Sequence, residues 1–166
     1  MYSIGQRVMY SSSGVCTVAD IRPESFTGEQ KEYYVLEPVF GTSSFIFVPL
    51  DNEKLLSRMR PLMTREQIFD LIRIIPDEET EWIPENRIRA QAFQQILLDG
   101  EPRALLRMTK MIHRRKGELA QRGKKNLMAD ETVFKRAEKI LCGEIASVLG
   151  ITPDEVHPLI VGELVK

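Results

Sequence analysis

The chain has 166 residues, of which 43% are hydrophobic and 28% charged, an ordinary globular composition that argues against global disorder. Its formal net charge of −1 does not by itself indicate a nucleic-acid partner. No apolar run approaches the roughly eighteen residues of a membrane span, and the N-terminus lacks the pattern of a signal peptide, so we expect a cytoplasmic protein. Cys16 and Cys142 have no cysteine or histidine at metal-ligand spacing, and we expect reduced thiols, although one disulfide stays open.

The first third of the chain has the pattern of short β-strands. Alternating, β-branched or aromatic residues occur at 7–10, 15–19, 33–36 and 45–48. Turn-forming residues around Gly28 and at 40–44 separate the later strands. This spacing predicts a small antiparallel β-barrel or sandwich. Residues 55–62 fit either a last strand or a short helix.

The helical pattern begins at Thr64, which has a glutamine at capping-box spacing, Gln67. Pro76 is expected to end this first helix. The next helix is expected to place Pro84 in its first turn and to end at Gly100. Its predicted apolar stripe consists of Ile88, Ala92 and Ile96, with Phe93 beside it.

Three further helices are predicted, at about 102–122, 130–149 and from Thr152 onward. Threonine, proline and glutamate at 152, 153 and 155 are typical of a helix start. The predicted inward residues of the two longer helices are Leu105, Met108, Ile112, Leu119, Val133, Ala137, Ile140, Leu141 and Ile145. Strands followed by helices predict an α+β chain with an N-terminal Tudor/SH3-like domain at 1–62 and an all-helical domain at 64–166.

Charge is strongly segregated around Trp82, the single tryptophan. Residues 76–85 carry five acids and no base, whereas residues 87–125 carry eleven basic and three acidic residues. A flat apolar side chain at the edge of a basic surface is suited to wedging a DNA base step. From these residues alone, packing of Trp82 between helices is an equally good interpretation.

Four basic residues fall on one stripe of the third helix: Arg103, Arg107, Lys110 and Arg114. Glu118 is the only acid between Pro102 and Lys125, so the helix lacks the alternating acid–base pairs of a solvated face. This density of positive charge favours an anionic partner, with contacts that position the protein without sequence readout.

Signals for catalysis are weak. His113 and His157 stand without a nucleophile arranged beside them, and phosphate-loop and metal-ligand motifs are absent from the sequence. The acids at 77–81 fit a solvated linker better than a cation site. The methionines, Met128 included, are interpreted as core residues. We therefore expect a protein that is not an enzyme and has no cofactor or metal.

Several motifs in order resemble the CarD/CdnL family of bacterial transcription regulators. The matching segments are Ile4–Tyr10, Gly14–Val15, Gly28–Leu36, Val48–Pro49, Trp82, Leu98–Gly100 and Arg136–Ala146. The resemblance implies a Tudor-like RNA polymerase interaction domain of the kind found in transcription–repair coupling factors. It also implies a helical domain that binds promoter DNA at the upstream edge of the transcription bubble.

The resemblance also suggests site residues. Trp82 matches the tryptophan that wedges into the minor groove, and Arg87, with Arg89, falls near a basic DNA-contacting position. Lys124 and Lys125 lie near a second basic region. On the polymerase-facing strands, Glu24 and Phe47 replace basic residues of the family, so we expect docking through Arg22, Glu24, Phe45 and Phe47.

The resulting hypothesis is a nucleoid-associated regulator that binds the RNA polymerase β subunit and, in a sequence-tolerant way, double-stranded promoter DNA, thereby stabilising the open complex. The alternative is a protein-only adaptor that docks on polymerase and recruits a second protein factor. A monomer is favoured, without a membrane partner, although the sequence leaves the oligomeric state open.

Overall fold

The computed structural model describes residues 1–41 and 44–165, with the side chain of Ser12 excepted. Thr42 and Ser43 of the turn predicted at 40–44, and Lys166 at the end of the predicted helical domain, therefore lie outside the described residues. Within the described part, no helix is long and apolar enough to cross a membrane.

The N-terminal part is a five-stranded antiparallel sheet with the order β4-β3-β2-β1-β5. The strands are β1 Arg7–Tyr10, β2 Val15–Glu24, β3 Lys31–Pro38, β4 Ile46–Pro49 and β5 Met59–Pro61. A register shift between Val18 and Asp20 marks a bulge, which bends the long strand β2. One side of the sheet buries Val8, Val18 and Leu36 completely. Residues 55–62 contain both predicted alternatives, because α1 Glu53–Leu56 precedes β5.

Helices make up the rest of the chain. They are α2 Arg65–Ile74, α3 Asn86–Asp99, α4 Pro102–Gln121, α5 Met128–Leu149 and α6 Pro153–Leu164. Thr64 and Gln67 form the predicted capping box, and Thr152 forms a second one with Glu155. Gly100 ends α3 in the left-handed conformation that glycine adopts without steric cost. The α+β prediction is thus confirmed.

The buried face of α3 differs from the predicted one by one position. Ile88 is 56% exposed, while Arg89, Phe93 and Leu97 are buried. Pro84 also lies just outside the helix, because Glu85 is the N-cap and accepts a hydrogen bond from the Arg87 backbone nitrogen. The prediction followed aliphatic residues, whereas the fold buries an arginine that has an acidic partner.

The sheet and the helices, predicted as two domains, share one core. Met9 and Val15 belong to the same buried cluster as Phe93, Leu97 and Leu105. The boundary is therefore a packed interface rather than a solvated linker.

An ion pair lies at this interface. Glu144 of α5 is completely buried, and its two carboxylate oxygens accept hydrogen bonds of 2.7 Å from the two terminal nitrogens of Arg60 in β5. One of these oxygens also accepts from the Met63 backbone nitrogen at 2.8 Å. The hydroxyl of Ser11 donates to the Leu98 carbonyl at 2.7 Å, which adds another polar contact between the two parts.

Candidate functional site

Trp82 is half-buried and packs against the shared core. Its ring meets Phe93 edge to face, with centroids 6.4 Å apart. The guanidinium carbons of Arg89 and Arg115 lie 4.5 and 5.5 Å from the Trp82 ring centroid, within cation–π range. Trp82 thus packs against the core, as one of the two interpretations expected. It also keeps a partly exposed surface, which the wedge hypothesis requires.

Arg89 is buried, with only 3% of its surface exposed. Its Nε and Nη2 donate to the two carboxylate oxygens of Asp130 at 3.0 and 2.9 Å, and Nη1 donates to the Ile83 carbonyl at 2.9 Å. These bonds occupy the guanidinium nitrogens that would otherwise donate to a phosphate. The prediction that Arg89 contacts DNA is therefore wrong for this fold, in which the Arg89 guanidinium packs on the ring of Trp82.

The basic stripe on α4 has an acidic partner inside the molecule. Arg103 and Arg107 both bind the carboxylate of Glu78, whose side chain is 3% exposed. Hydrogen bonds from Arg107 and Arg103 lower the pKa of Glu78 below the usual glutamate range. Both arginines stay about half exposed, so their outer nitrogens still face solvent.

The same stripe also holds the backbone of the linker before Trp82. The Nζ of Lys110 donates to the carbonyls of Ile75 and Glu78 at 2.6 Å, near the C-terminal end of α2. Arg114 reaches the Thr80 hydroxyl at 3.4 Å. The partners lie 25 to 35 residues upstream, which corrects the interpretation that this charge is uncompensated.

Other basic residues of the prediction point to solvent. Arg87 is exposed in the first turn of α3, and Lys124 and Lys125 are exposed in the loop between α4 and α5. This loop has a defined shape, because Gly123 has a φ of 68° and the Lys124 nitrogen donates to the Leu119 carbonyl at 2.8 Å. Together with the bond from the Gly123 nitrogen to Ala120, this is a Schellman motif.

Arg115, which contacts Trp82, and its sequence neighbour Lys116 were not predicted from the sequence. Arg115 lies over the ring, and Lys116 is 61% exposed with its Nζ 3.6 Å from Glu131. Both stand on α4 off the predicted stripe, so their relation to Trp82 appears only once the linker is packed on this helix. We call the Trp82 end the surface formed by Trp82 and the exposed basic residues Arg87, Lys116, Lys124 and Lys125.

A second surface lies on the sheet, around the predicted polymerase-docking residues. Phe47 of β4 meets Phe26 and Tyr33 edge to face, with centroids 4.9 and 6.3 Å apart. The Arg22 guanidinium lies 5.7 Å from the Phe47 ring centroid, and Arg22 is also paired with Glu24 at 2.9 Å. The structure therefore brings Arg22, Glu24 and Phe47 together.

Two further features make this sheet surface suitable for docking. Phe45 and Phe26 are 54% and 58% exposed, and Phe26 was missed because it lies in a turn rather than a strand. In the part of the chain that the structure describes, β4 is an edge strand that pairs only with β3. An edge strand with exposed aromatic side chains is a ready docking surface for another protein.

The fold and these two surfaces define a class of protein: a small antiparallel sheet with exposed aromatic side chains, packed against a helical part with a basic, tryptophan-bearing end. Residues 2–62 match the family model described as the CarD-like/TRCF RID domain. Residues 2–62 are therefore a domain of the CarD-like/TRCF RID family, as the motifs indicated. Domains of this family interact with the β subunit of RNA polymerase, which supports polymerase interaction by this chain. The match ends at residue 62, before the first residue of the helical part.

Proposed function

We propose that this protein is a non-enzymatic transcription regulator that binds the RNA polymerase β subunit through its sheet and promoter DNA through its helical part. It stabilises the open complex by contacting duplex DNA at the upstream edge of the transcription bubble. The proposed binding to polymerase is supported by the family match of residues 2–62. For this contact we propose the sheet surface formed by Arg22, Glu24, Phe45 and Phe47, with Phe26 added.

The observation that carries the proposed binding to DNA is the composition of the Trp82 end. A partly exposed tryptophan stands there among exposed cations from α3, α4 and the loop that follows. Phosphate contacts by such cations hold DNA without reading its sequence, and an apolar side chain can then unstack a base step. The proposed contacts are Trp82, Arg87, Lys124 and Lys125.

The α4 stripe is proposed as a flanking surface of lower importance. The outer nitrogens of Arg103 and Arg107 remain exposed beside the bonds to Glu78, and Arg114 has one weak partner. Lys110 is occupied by backbone carbonyls and is expected to add least.

The rigid join between the two halves supports a bridging role. The Arg60–Glu144 pair and the shared core hold the Trp82 end at a constant position relative to the sheet. A bridging protein gains from such rigidity, because the second contact then costs less ordering entropy than the first. This role places the protein at the nucleoid, in the cytoplasm.

Substitution of Trp82 tests the function. Trp82→Ala should shorten the lifetime of polymerase–promoter open complexes, measured by competitor challenge, while leaving polymerase binding unchanged. Phe45→Ala is the reciprocal variant, since it should weaken polymerase binding and leave binding to duplex DNA unchanged. If promoter opening by the Trp82 variant equals that of the wild type, the wedge is wrong.

The salt dependence of DNA binding separates the two groups of cations. Removal of one phosphate-binding charge should reduce the slope of log K against log salt by about 0.9. The double variant Lys124→Gln/Lys125→Gln should therefore reduce the slope by nearly two, and Arg103→Gln/Arg107→Gln by less. A slope that neither pair changes would exclude this surface from DNA binding.

A protein-only adaptor remains the second candidate because the α4 stripe already has intramolecular partners. Such charge does not require an external anion, and the helical part would then recruit a second protein. A gel shift of the full chain with arbitrary duplex DNA at low salt discriminates the two functions, since only the regulator should retard the duplex.

A further inference from the structure

Two large apolar side chains at the start of α5 are exposed, and one of them, Met128, was expected in the core. Met128 is 84% exposed and Leu127 is 50% exposed. Neither belongs to a buried cluster of the described residues. Exposed leucine and methionine side by side, outside these clusters, form a small apolar patch on the surface.

These two side chains are held in a defined position. The Schellman motif at Gly123 sets the direction of the chain after α4, and Lys124 through Asn126 lead directly to Leu127. On the other side, the backbone nitrogen of Asp130 donates to the Leu127 carbonyl at 3.1 Å. Asp130 also binds the Arg89 guanidinium that covers Trp82. Leu127 and Met128 therefore lie beside the Trp82 end.

The charges around the pair favour a polyanion. Residues 119–129 include Arg122, Lys124 and Lys125 and contain no acid. The nearest acids in sequence have partners, because Glu118 is paired with Arg115, Asp130 with Arg89 and Glu131 with Lys116. An apolar pair in this basic setting fits DNA better than it fits a membrane-buried or purely apolar protein surface.

Trp82 alone provides little apolar surface for insertion. Its ring is half-buried, meets Phe93 at one edge and has two guanidinium groups over it. Leucine and methionine are side chains that minor-groove proteins insert between base steps, and the unbranched thioether adapts to irregular surfaces. More exposed apolar surface at this end belongs to Leu127, the N-cap of α5, and Met128, its first residue.

We propose that Leu127 and Met128 form a second apolar insertion element, which enters the minor groove of duplex DNA while Lys124 and Lys125 hold the adjacent phosphates. This inference rests on the proposed function and extends its DNA surface. It assigns a base-unstacking role to a loop whose lysines alone would only bind the backbone.

The test uses the full chain with a duplex that carries 2-aminopurine at an A·T-rich step, without polymerase, at low salt. The variant Leu127→Gln/Met128→Gln should bind about tenfold more weakly, because it buries less apolar area against the DNA, and should show a smaller 2-aminopurine fluorescence increase than the wild type. Its salt slope should equal that of the wild type, because no charge is removed.

Two controls make the result specific. Val161→Gln/Val165→Gln changes two other exposed aliphatic residues, 49% and 80% exposed in and after α6, and should leave DNA binding unchanged. Lys124→Gln/Lys125→Gln should reduce the salt slope. Because Leu127 and Met128 are exposed, the glutamine variant should keep the wild-type circular dichroism spectrum and urea midpoint.

The outcomes separate this inference from the function on which it rests. If the wild type fails to bind duplex DNA, both are overturned. If the wild type binds and the glutamine variant binds and unstacks equally well, the insertion element is overturned and the regulator proposal stands. If the glutamine variant loses polymerase binding but keeps DNA binding, Leu127 and Met128 contact a protein, and the insertion element is also overturned.

Discussion

The guanidinium of Arg89 lies over the ring of Trp82, with its central carbon 4.5 Å from the ring centroid, and the same group binds Asp130 along its edge. One buried cation thus joins the linker, α3 and α5. The proposed DNA-wedging side chain is supported by this contact rather than carried on a free loop. The Arg89–Asp130 ion pair therefore fixes the position of the group on which Trp82 packs.

Replacement of Arg89 should therefore affect stability and the tryptophan together. Arg89→Met leaves Asp130 buried without its partner, which should lower the free energy of unfolding by about 3–5 kcal/mol. Because Trp82 is the only tryptophan, its emission maximum in the folded state should shift to the red as the ring becomes more exposed. Urea denaturation followed by tryptophan fluorescence measures both effects.

Arg87→Met is the matched control for this variant, on the same helix two residues earlier. Arg87 is exposed, and a surface substitution of this kind should change stability by no more than about 0.5 kcal/mol. Equal stability of the two methionine variants would contradict the assigned role of Arg89.

Glu144 should couple the sheet to the helices. Glu144→Gln keeps the shape of the side chain but removes the charge that faces Arg60, and we expect the free energy of unfolding to fall by about 3 kcal/mol or more. Separation of one urea transition into two, observed by tryptophan fluorescence and by circular dichroism, would show that the halves have become uncoupled. Glu138→Gln on an exposed position of α5 should leave a single transition at the wild-type midpoint.

Gly143 leaves little room for a side chain, because α5 approaches the segment that follows β3 there. A Cβ at this position would lie 3.1 and 3.3 Å from two ring carbons of Phe40. Gly143→Ala should therefore destabilise the protein by about 1–3 kcal/mol through overpacking.

Gly117 is the matched helical glycine in α4, with no atom within 4 Å of a built Cβ. Gly117→Ala should stabilise the protein by about 0.5–1 kcal/mol, because alanine lowers the entropy of the unfolded chain and favours the helix. Thermal unfolding of the two alanine variants checks the pair. The same sign of change in both would contradict the close approach at Gly143.

Local signals in the sequence were sufficient for most of the fold. The capping box at Thr64, the glycine at position 100 and the proline at 153 act over a few residues, so their patterns predicted helix ends correctly. The inward residues of α5 followed the helical period, and those named in advance are buried.

Long-range charge pairing was the part that the sequence could not reveal. Arg89 was counted as a surface cation and the α4 stripe as uncompensated, because the partners Asp130 and Glu78 lie 41 and 25 or more residues away. Met128 was assigned to the core from its residue type, whereas its position in the first turn of α5 exposes it. Each error concerned a side chain whose environment is formed by another element, and each lies in or near the candidate site.

The contact between Glu78 and the α4 stripe should make stability depend on pH in the acid range. The pKa of Glu78 in the folded protein lies below the ordinary glutamate value of 4.5, because Arg107 and Arg103 donate hydrogen bonds to its charged form. For a carboxylate with a lowered pKa, the stabilisation is complete above the pKa of the unfolded chain and disappears as the pH falls through the folded value. Urea midpoints of the wild type and Glu78→Gln between pH 7 and pH 3 should therefore differ most above about pH 4.5 and converge below it. Glu79→Gln, at the exposed neighbouring position, should follow the wild type throughout, and a difference between wild type and Glu78→Gln that stays constant down to pH 3 would show that Glu78 does not hold the linker through its charge.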